Sequence, residues 1–355
     1  MGKFILVINP GSTSTKLAIF EDETKVYEFK INHPTDELQK YPNVVSQLDF
    51  RSKIIKDELK KSQFDLHKLS AVCGRGGMLR PLTSGTYIVT DEMVKDLYEA
   101  KRGEHASNLG ALIARDIANE YGIPAYIVDP VAVDEMEDIA RISGMAEIER
   151  SCIFHALNHK AIARQAAKDV GKKYNELNLI VAHLGGGISV AAHKKGRVVD
   201  VNNALDGDGP MSPERSGTVP MGPLYKMCFS GKYTLQDIKR MNYGKGGLAS
   251  YLGTNNAAEV AERIKKGDEY AKLIYDAMIY QIAKEIGACS TIFKGDVDYI
   301  VLTGGLAYEP YAVQGITERV SFIAKVLVYP GENELLSLAQ GALRVLNGEE
   351  EAKIY

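Results

Sequence analysis

Apolar residues in this chain fall into two patterns: short dense runs, and longer stretches in which they recur every third or fourth position. Runs at Phe4 to Asn9, Leu17 to Phe20, Ser70 to Cys73, Tyr87 to Thr90, Ala125 to Val128, Leu179 to His183, Ser189 to His193 and Tyr299 to Thr303 read as strands. The i, i+3, i+4 spacing predicts helices over Asn158 to Val170, Ala257 to Ile264 and Tyr270 to Ile286. It recurs in NELLSLAQGALRVLNG, where Leu335, Leu338, Ala339, Ala342, Leu343 and Leu346 form one stripe that must be buried somewhere, for which the first domain is the expected place. Strands alternating with helices predict an α/β protein. Because consecutive hairpin strands precede the helices, the sheets are expected to be mixed rather than purely parallel.

Two segments follow one plan. FILVINPGSTSTKLAIFED and LIVAHLGGGISVAAHKKGR each run apolar strand, turn of small residues, second apolar strand, then charged residues. This weak internal likeness predicts two halves of similar build. No Pro/Gly/Ser linker or low-complexity tract separates them, so the boundary is expected to be packed and is placed near Arg150. The domains are then 1–150, joined by the C-terminal helical segment 335–355, and 151–334.

Composition narrows the class of protein. Hydrophobic residues at 45% and charged residues at 25% of 355 suit an ordinary globular chain, and a formal net charge of -3 offers no basic footprint for nucleic acid. No run of about 18 apolar residues suggests a membrane span. Cys73, Cys152, Cys228 and Cys289 are far apart, without a CxxC pair, and read as buried thiols of a reducing compartment. The N-terminus lacks a secretory pattern, so the cytoplasm is the expected location.

The chemistry starts at the turns. PGSTSTK, Pro10 to Lys16, places a glycine and four hydroxyl side chains at a hairpin bend; HLGGG, His183 to Gly187, and LTGGLA, Leu302 to Ala307, place glycines after two further strands. A hairpin alone would account for one such bend. Repetition at three strand ends points to backbone N–H groups presented to phosphate oxygens, with Lys16 adding a point charge. Neither G-x-x-x-x-G-K-[ST] nor G-x-G-x-x-G after a strand is present, so a different type of nucleotide cleft is expected. His155 and His159 have the spacing of a zinc-protease pair, but Ala156 stands where the glutamate is required. The DGDG of Asp206 to Gly209 reads as a solvated turn.

The order of motifs resembles the acetokinase family, within the superfamily of sugar kinases, heat-shock protein 70 and actin. The resemblance runs nearly end to end: Asn9 with the hydroxyl turn, CGRGG around Arg75, GEHASN around His105, IVDP around Asp129, IFHALNH around His155, HLGGG, MSPERSG around Arg215, LTGGLA, and Glu334. It implies two ribonuclease-H-like domains, mixed sheets flanked by helices, and an interdomain cleft closing on ATP. The reaction implied is reversible phosphoryl transfer between ATP and a carboxylate. By resemblance, Arg75 holds the substrate carboxylate, Arg215 the transferring phosphoryl, and His155 its equatorial oxygens, with His105 and His183 as further contacts. Asp129 would orient an arginine or a metal-bound water, and Asn9 and Glu334 would complete a Mg²⁺ shell. Ser12, Lys16, Gly185, Gly186, Gly187, Gly304 and Gly305 would approach ATP or ADP. Family members are commonly homodimers or higher oligomers.

Departures from the acetate kinase pattern, HLGGG for HLGNG, DGDGPMSPERSG before the arginine and LAYEP after the glycine pair, resemble the branch acting on butyrate or branched-chain acids. Gly77 stands where acetate kinases carry a valine beside a methyl pocket, which implies room for extra methylenes, with Phe154 as another pocket wall. Isobutyrate and acetate are the alternative acceptors. A carboxylate is already ionised at neutral pH, so no general base is required, and catalysis reduces to positioning and charge neutralisation. A sugar kinase would need a carboxylate base instead. A non-kinase ATPase scaffold of the same superfamily would bind nucleotide without an acyl substrate.

Overall fold

The computed structural model describes residues 2–355 and divides into two compact units. Unit 1 is the chain up to Asp134 together with Asn333–Tyr355; unit 2 is Glu135–Glu332. Unit 1 holds β1 (Phe4–Pro10), β2 (Ser14–Glu21), β3 (Thr24–Asn32), β4 (Leu69–Gly74), β5 (Thr86–Ile88) and β6 (Ala125–Val128), in the sheet order β3-β2-β1-β4-β6-β5. Unit 2 holds β7 (Asn178–Leu184), β8 (Ile188–Lys194), β9 (Arg197–Val201), β10 (Tyr299–Gly304) and β11 (Lys325–Pro330), in the order β11-β10-β7-β8-β9.

Both sheets are mixed and share one arrangement. An antiparallel meander, β1-β2-β3 or β7-β8-β9, is extended on its other side by strands parallel to the first, β4 and β6 or β10 and β11. The internal likeness of the two segments is therefore a likeness of hairpins at equivalent places. The strands β3 and β11, absent from the expected set, lie at sheet edges and are half exposed, which dilutes the apolar signal. β9, likewise absent from the expected set, also lies at an edge but is mostly buried.

The central strands are mostly apolar because helices cover both faces. In unit 1, Leu6, Ile8, Leu17, Ile19, Val72 and Ile127 pack with Leu109, Ile113 and Ile117 of the helix Asn108–Tyr121. Successive strand side chains point to opposite faces, so Val128 faces the other way, and there it meets the helix Glu334–Leu346 at Gly341. In unit 2, Ile180, Ala182, Leu302 and Val190 pack against the helix Glu269–Ile292, and Leu179, Val181 and Val301 against Ala163, Ala166 and Ala167 of the helix Ala156–Asp169.

Two expectations change. The division falls between Asp134 and Glu135 rather than near Arg150, because the intervening segment is bonded into unit 2: Glu135 takes the buried Lys160 ammonium, Glu137 N–H donates to Val199 O, and Arg150 pairs with Asp200. The cysteines are free, but only Cys73 and Cys289 are buried; Cys228 ends the helix Met221–Cys228, which buries none of its residues, and is exposed. Among the described residues no helix is long and apolar enough to cross a membrane.

The end of β4 lies directly on the helix Asn108–Tyr121. A Cβ on Gly74 would sit 2.1 Å from the Gly110 carbonyl oxygen, and one on Gly110 2.3 Å from that of Arg75. Gly287, within the helix Glu269–Ile292, has open space at its Cβ. Helix propensity favours alanine at both helical sites by about 0.5–1 kcal/mol. Urea unfolding is therefore expected to show Gly287→Ala stabilised by about that amount and Gly110→Ala destabilised by about 1–3 kcal/mol through overpacking; equal effects would contradict the close approach.

Candidate functional site

In unit 1 the polar cluster forms where β1 and β4 end. Asn9 is the next-to-last residue of β1, with Lys16 as its cross-strand partner on β2, and the Arg75 N–H continues the ladder by donating to Ile8 O at 2.8 Å. The helix Glu334–Leu346 starts at this edge, capped by Asn333, whose side chain accepts from Leu336 N. Glu334 Oε2 accepts from Asn9 Nδ2 at 2.7 Å, and Oε1 accepts from Arg75 Nη1. Burial pushes the Glu334 carboxyl up, but Arg75, aided by Asn9 and Lys16, more than offsets this and holds it below the usual range. His105 Nδ1 accepts the Ser107 N–H at 3.2 Å, which leaves its ring proton on Nε2; burial, then Arg75, push its pKa down. The arrangement thus brings Asn9, Arg75 and Glu334 into contact, with Lys16 and His105 within electrostatic reach.

The hydroxyl turn carrying the exposed Ser12 is held by a residue that no sequence motif marks. Arg51, in the helix Leu48–Lys61, is 1% exposed and donates through Nη1 to Gly11 O and through Nη2 to Ser12 O, both at 2.8 Å. Its remaining bonds go to Gln47, so neutral oxygens surround the charge, and burial pushes its pKa down to about 10. Beside it, buried His33 bonds Thr15 Oγ1 through Nε2 at 2.8 Å, while its Nδ1 has no partner.

Asp129 holds a turn in this unit, and the expected role of Gly77 changes. Asp129, buried at φ 37°, accepts at Oδ1 from Ser84 Oγ at 2.6 Å and from Gly85 N at 2.8 Å, so these bonds anchor the turn before β5. Gly77 opens no acyl pocket: a Cβ there would lie 2.3 Å from Asn108 Oδ1 and 2.6 Å from Asn108 Cα. The glycine is explained by the seating of its loop on Asn108, whose Oδ1 also accepts from Met78 N at 2.8 Å.

In unit 2 the site is built on the β7–β8 hairpin. Gly187 lies against the guanidinium of Arg215, whose Nη1 would be 1.9 Å from a Cβ at that position. The SPERSG loop is tied to the hairpin by Ser212 Oγ donating to Gly186 O at 2.5 Å, and it is backed by Gly246 and Gly247, whose Cβ positions are filled by Ser216 and Ser212. Arg215 is half-buried, donates to Ala204 O, lies over the Tyr243 ring at 5.1 Å, and keeps a buried Nε without a partner. Among the described residues no carboxylate pairs with it.

Gly185, Gly186 and Gly305 share a cavity of about 460 Å³ with Asn255, Ala257, Ala258, Ala261 and Leu306, a size and mixed lining suited to a small ligand. The two glycine turns, far apart in sequence, meet there because β7 and β10 are neighbours. Gly304, at φ 90°, packs on the Leu184 carbonyl and so shapes the turn from behind.

His155 caps the helix Ala156–Asp169, stacks on His183 with centroids 3.9 Å apart, and meets Ser189 Oγ through Nδ1 at 2.9 Å. His183 faces Asn158 Oδ1 at 2.8 Å and Glu332 at 3.1 Å. Phe154 is 3% exposed and packs edge-to-face with the His159 ring. His159 and His193, both fully buried, extend the polar chain inward. Sequence patterns flagged none of Arg51, His33, Ser189 or His193, because what matters in each is the partner. Among the described residues no group of three or more His, Cys, Asp or Glu could cage a metal ion.

A model of the acetokinase family matches residues 146–326. The chain is 54% identical over 351 residues to Butyrate kinase 1 of Clostridium acetobutylicum and 53% identical over 351 residues to a probable butyrate kinase of Clostridium botulinum, in each case across 99% of both chains. Its fold is similar to the crystal structure of Porphyromonas gingivalis acetate kinase, with a TM-score of 0.80 at 21% identity over 97% of this chain and 100% of that one. A propionate kinase from Francisella tularensis gives a TM-score of 0.74 at 21% identity over 96% and 98%.

The pKa of His33 is pushed down to about 4, by burial first and then by Arg51. Its folded pKa lies below the unfolded value near 6.5, so its contribution to stability is present above pH 6.5 and is lost as pH falls toward 4. Between pH 7.5 and 5, urea unfolding of the wild type should lose about 1–2 kcal/mol more than unfolding of His33→Gln; parallel losses would mean that the imidazole charges freely in the native state.

Proposed function

The chain belongs to the acetokinase family, and on that premise we propose that it transfers the γ-phosphoryl of ATP reversibly to a short-chain carboxylate, butyrate first and isobutyrate second. The observation that carries this reading is Arg215: a guanidinium partly withdrawn from water, with Glu214 acting on it only from a distance, no carboxylate in ion-pair contact and a buried Nε unpaired, beside the glycine-lined cavity. Such a charge is costly unless an anion completes it. A phosphoryl group does so bidentately.

In the proposed reaction an ionised carboxylate oxygen forms a bond to the γ-phosphorus as the bond to the ADP oxygen breaks, giving acyl phosphate and ADP. No proton is exchanged, so no base is called for. The work is electrostatic: the charge of Arg215 and an N–H of His155 offset the negative charge of the phosphoryl oxygens, and Arg75 receives the carboxylate. Glu334 holds one arm of Arg75 and so orients the guanidinium; among the described residues no hydrogen bond engages Nη2 or Nε. The neutral His105, with its proton on Nε2, adds a donor without competing for the anion's charge.

Asn9 and Glu334 fit a Mg²⁺ ion accompanying the nucleotide: each has a side-chain oxygen, Glu334 is kept ionised, and Mg²⁺ asks for one or two protein oxygens beside phosphates and waters. When bound, the ion would screen the polyphosphate charge. With Gly77 explained by packing, the preference for a four-carbon acid is supported by the full-length likeness to butyrate kinases.

A hydroxamate assay with ATP and a series of acids tests the proposal. Butyrate should exceed acetate in kcat/KM by about tenfold or more, from two further buried methylenes at about 0.8 kcal/mol each. Arg75→Ala should raise the KM for the carboxylate about 10–100-fold with the KM for ATP within about threefold. Gly187→Ala, which displaces Arg215, should lower kcat about 100-fold. Absence of acyl phosphate with every short-chain acid would sink the reading; a tenfold preference for acetate would overturn the acyl assignment.

A further inference from the structure

Behind His155 runs a line of four polar side chains with no solvent role of their own. His155 Nδ1 is 2.9 Å from Ser189 Oγ, and Ser189 Oγ is 2.8 Å from His159 Nε2. His159 Nδ1 is 3.2 Å from His193 Nε2, and His193 Nδ1 is 2.7 Å from the Tyr174 hydroxyl. Ser189, His159 and His193 are 0% exposed, and β8 brings them into line because Ser189 and His193 stand on one face of it, toward the helix Ala156–Asp169.

Hydrogen-bond arithmetic makes this line directional. A neutral imidazole has one donor nitrogen and one acceptor nitrogen, and a hydroxyl has one proton. Burial holds His159 and His193 neutral: it is the first cause pushing both far below the usual histidine value, with Lys160 acting on each. Every donor must then point the same way along the line. For a neutral His155, either Tyr174 donates first and His155 is left with its proton on Nε2, or His155 donates from Nδ1 and its Nε2 is left as a bare lone pair.

Two features choose between these. A phenol is a better donor than acceptor, and imidazole nitrogen is a strong acceptor, so the Tyr174 hydroxyl favours giving its proton to His193. Two cations lie at that same end, Lys160 Nζ at 5.6 Å and Arg164 Cζ at 5.8 Å from the Tyr174 ring centre. Their field favours the orientation in which the hydrogens point away from them, toward His155. The Lys160 charge is shared with Glu135 at 2.5 Å and the Gly196 carbonyl at 3.0 Å, which holds the ammonium in place.

We propose that Tyr174, His193, His159 and Ser189 form a one-way hydrogen-bond line that locks His155 in the tautomer with its proton on Nε2, so that the ring meets a phosphoryl oxygen as a donor. This inference rests on the kinase reading for its purpose, not for its geometry. The four are positioning residues: none is asked to touch substrate. The opposite tautomer would present a lone pair to an anion, and repulsion would replace a bond. A neutral line also supplies this donor without a charge of its own.

The test is the tautomer itself. Long-range proton–nitrogen NMR spectra of the full chain labelled with ¹⁵N-histidine, assigned through His155→Gln, should show Nε2 of His155 protonated and Nδ1 bare. Ser189→Ala, which cuts the line beside His155, should mix the two forms and lower kcat about tenfold, with both KM values within about twofold. Tyr174→Phe, at the half-exposed end, should give a smaller shift of the same kind, about threefold in kcat, and serves if Ser189→Ala does not fold. A wild-type His155 protonated on Nδ1 overturns the proposal, as does a tautomer unmoved in both variants. If no acid is phosphorylated at all, the kinase reading fails while the spectra still decide the direction of the line.

Discussion

A guanidinium pulled toward the protein interior without a carboxylate in ion-pair contact sets the terms for the rest of unit 2. Arg215 can lie where it does only because residue 187 has no side chain, Gly246 and Gly247 let a second loop close behind, and Ser212 ties that loop to the glycine turn. Low dielectric makes such a charge expensive and, for the same reason, strongly attractive to an anion. The glycines of HLGGG are thus spent on two tasks: Gly187 admits the cation, and Gly185 and Gly186 line the cavity.

Unit 1 handles its cations differently. Arg51 is wholly buried and bonded to neutral oxygens, and its task is to hold the backbone of the hydroxyl turn. Arg75 is paired with Glu334, so its charge is partly answered and its orientation is fixed. One arginine shapes a loop, one is oriented by an acid, and one is left wanting an anion. Carboxylate kinase chemistry needs no base, and what all these contacts supply is charge and direction. The histidines fit that economy when they stay neutral and donate.

The parts of the site legible in the sequence were those whose meaning lies in neighbours along the chain. Turns such as PGSTSTK and HLGGG carry their own conformational reason, and the order of Arg75, His155 and Arg215 among them carried the family resemblance borne out by full-length relatives. Gly77 shows the limit. Read locally, a missing side chain means space; in the fold that space belongs to Asn108. Arg51 shows the converse: in LDFRSKIIKDELKK it is one charge among many on a polar-looking helix, and only packing turns it inward.

By itself, then, the sequence determined the alternation of strands and helices, the doubled hairpin plan and the chemistry of the turns, because periodicity and backbone freedom act over a few residues. Tertiary structure alone decided which groups share a proton or a charge: His155 with Ser189, His159 with His193, Glu334 with Asn9 and Arg75. Those pairings join residues tens to hundreds of positions apart. Hydrogen-bond direction and desolvation depend on distances that no local pattern encodes.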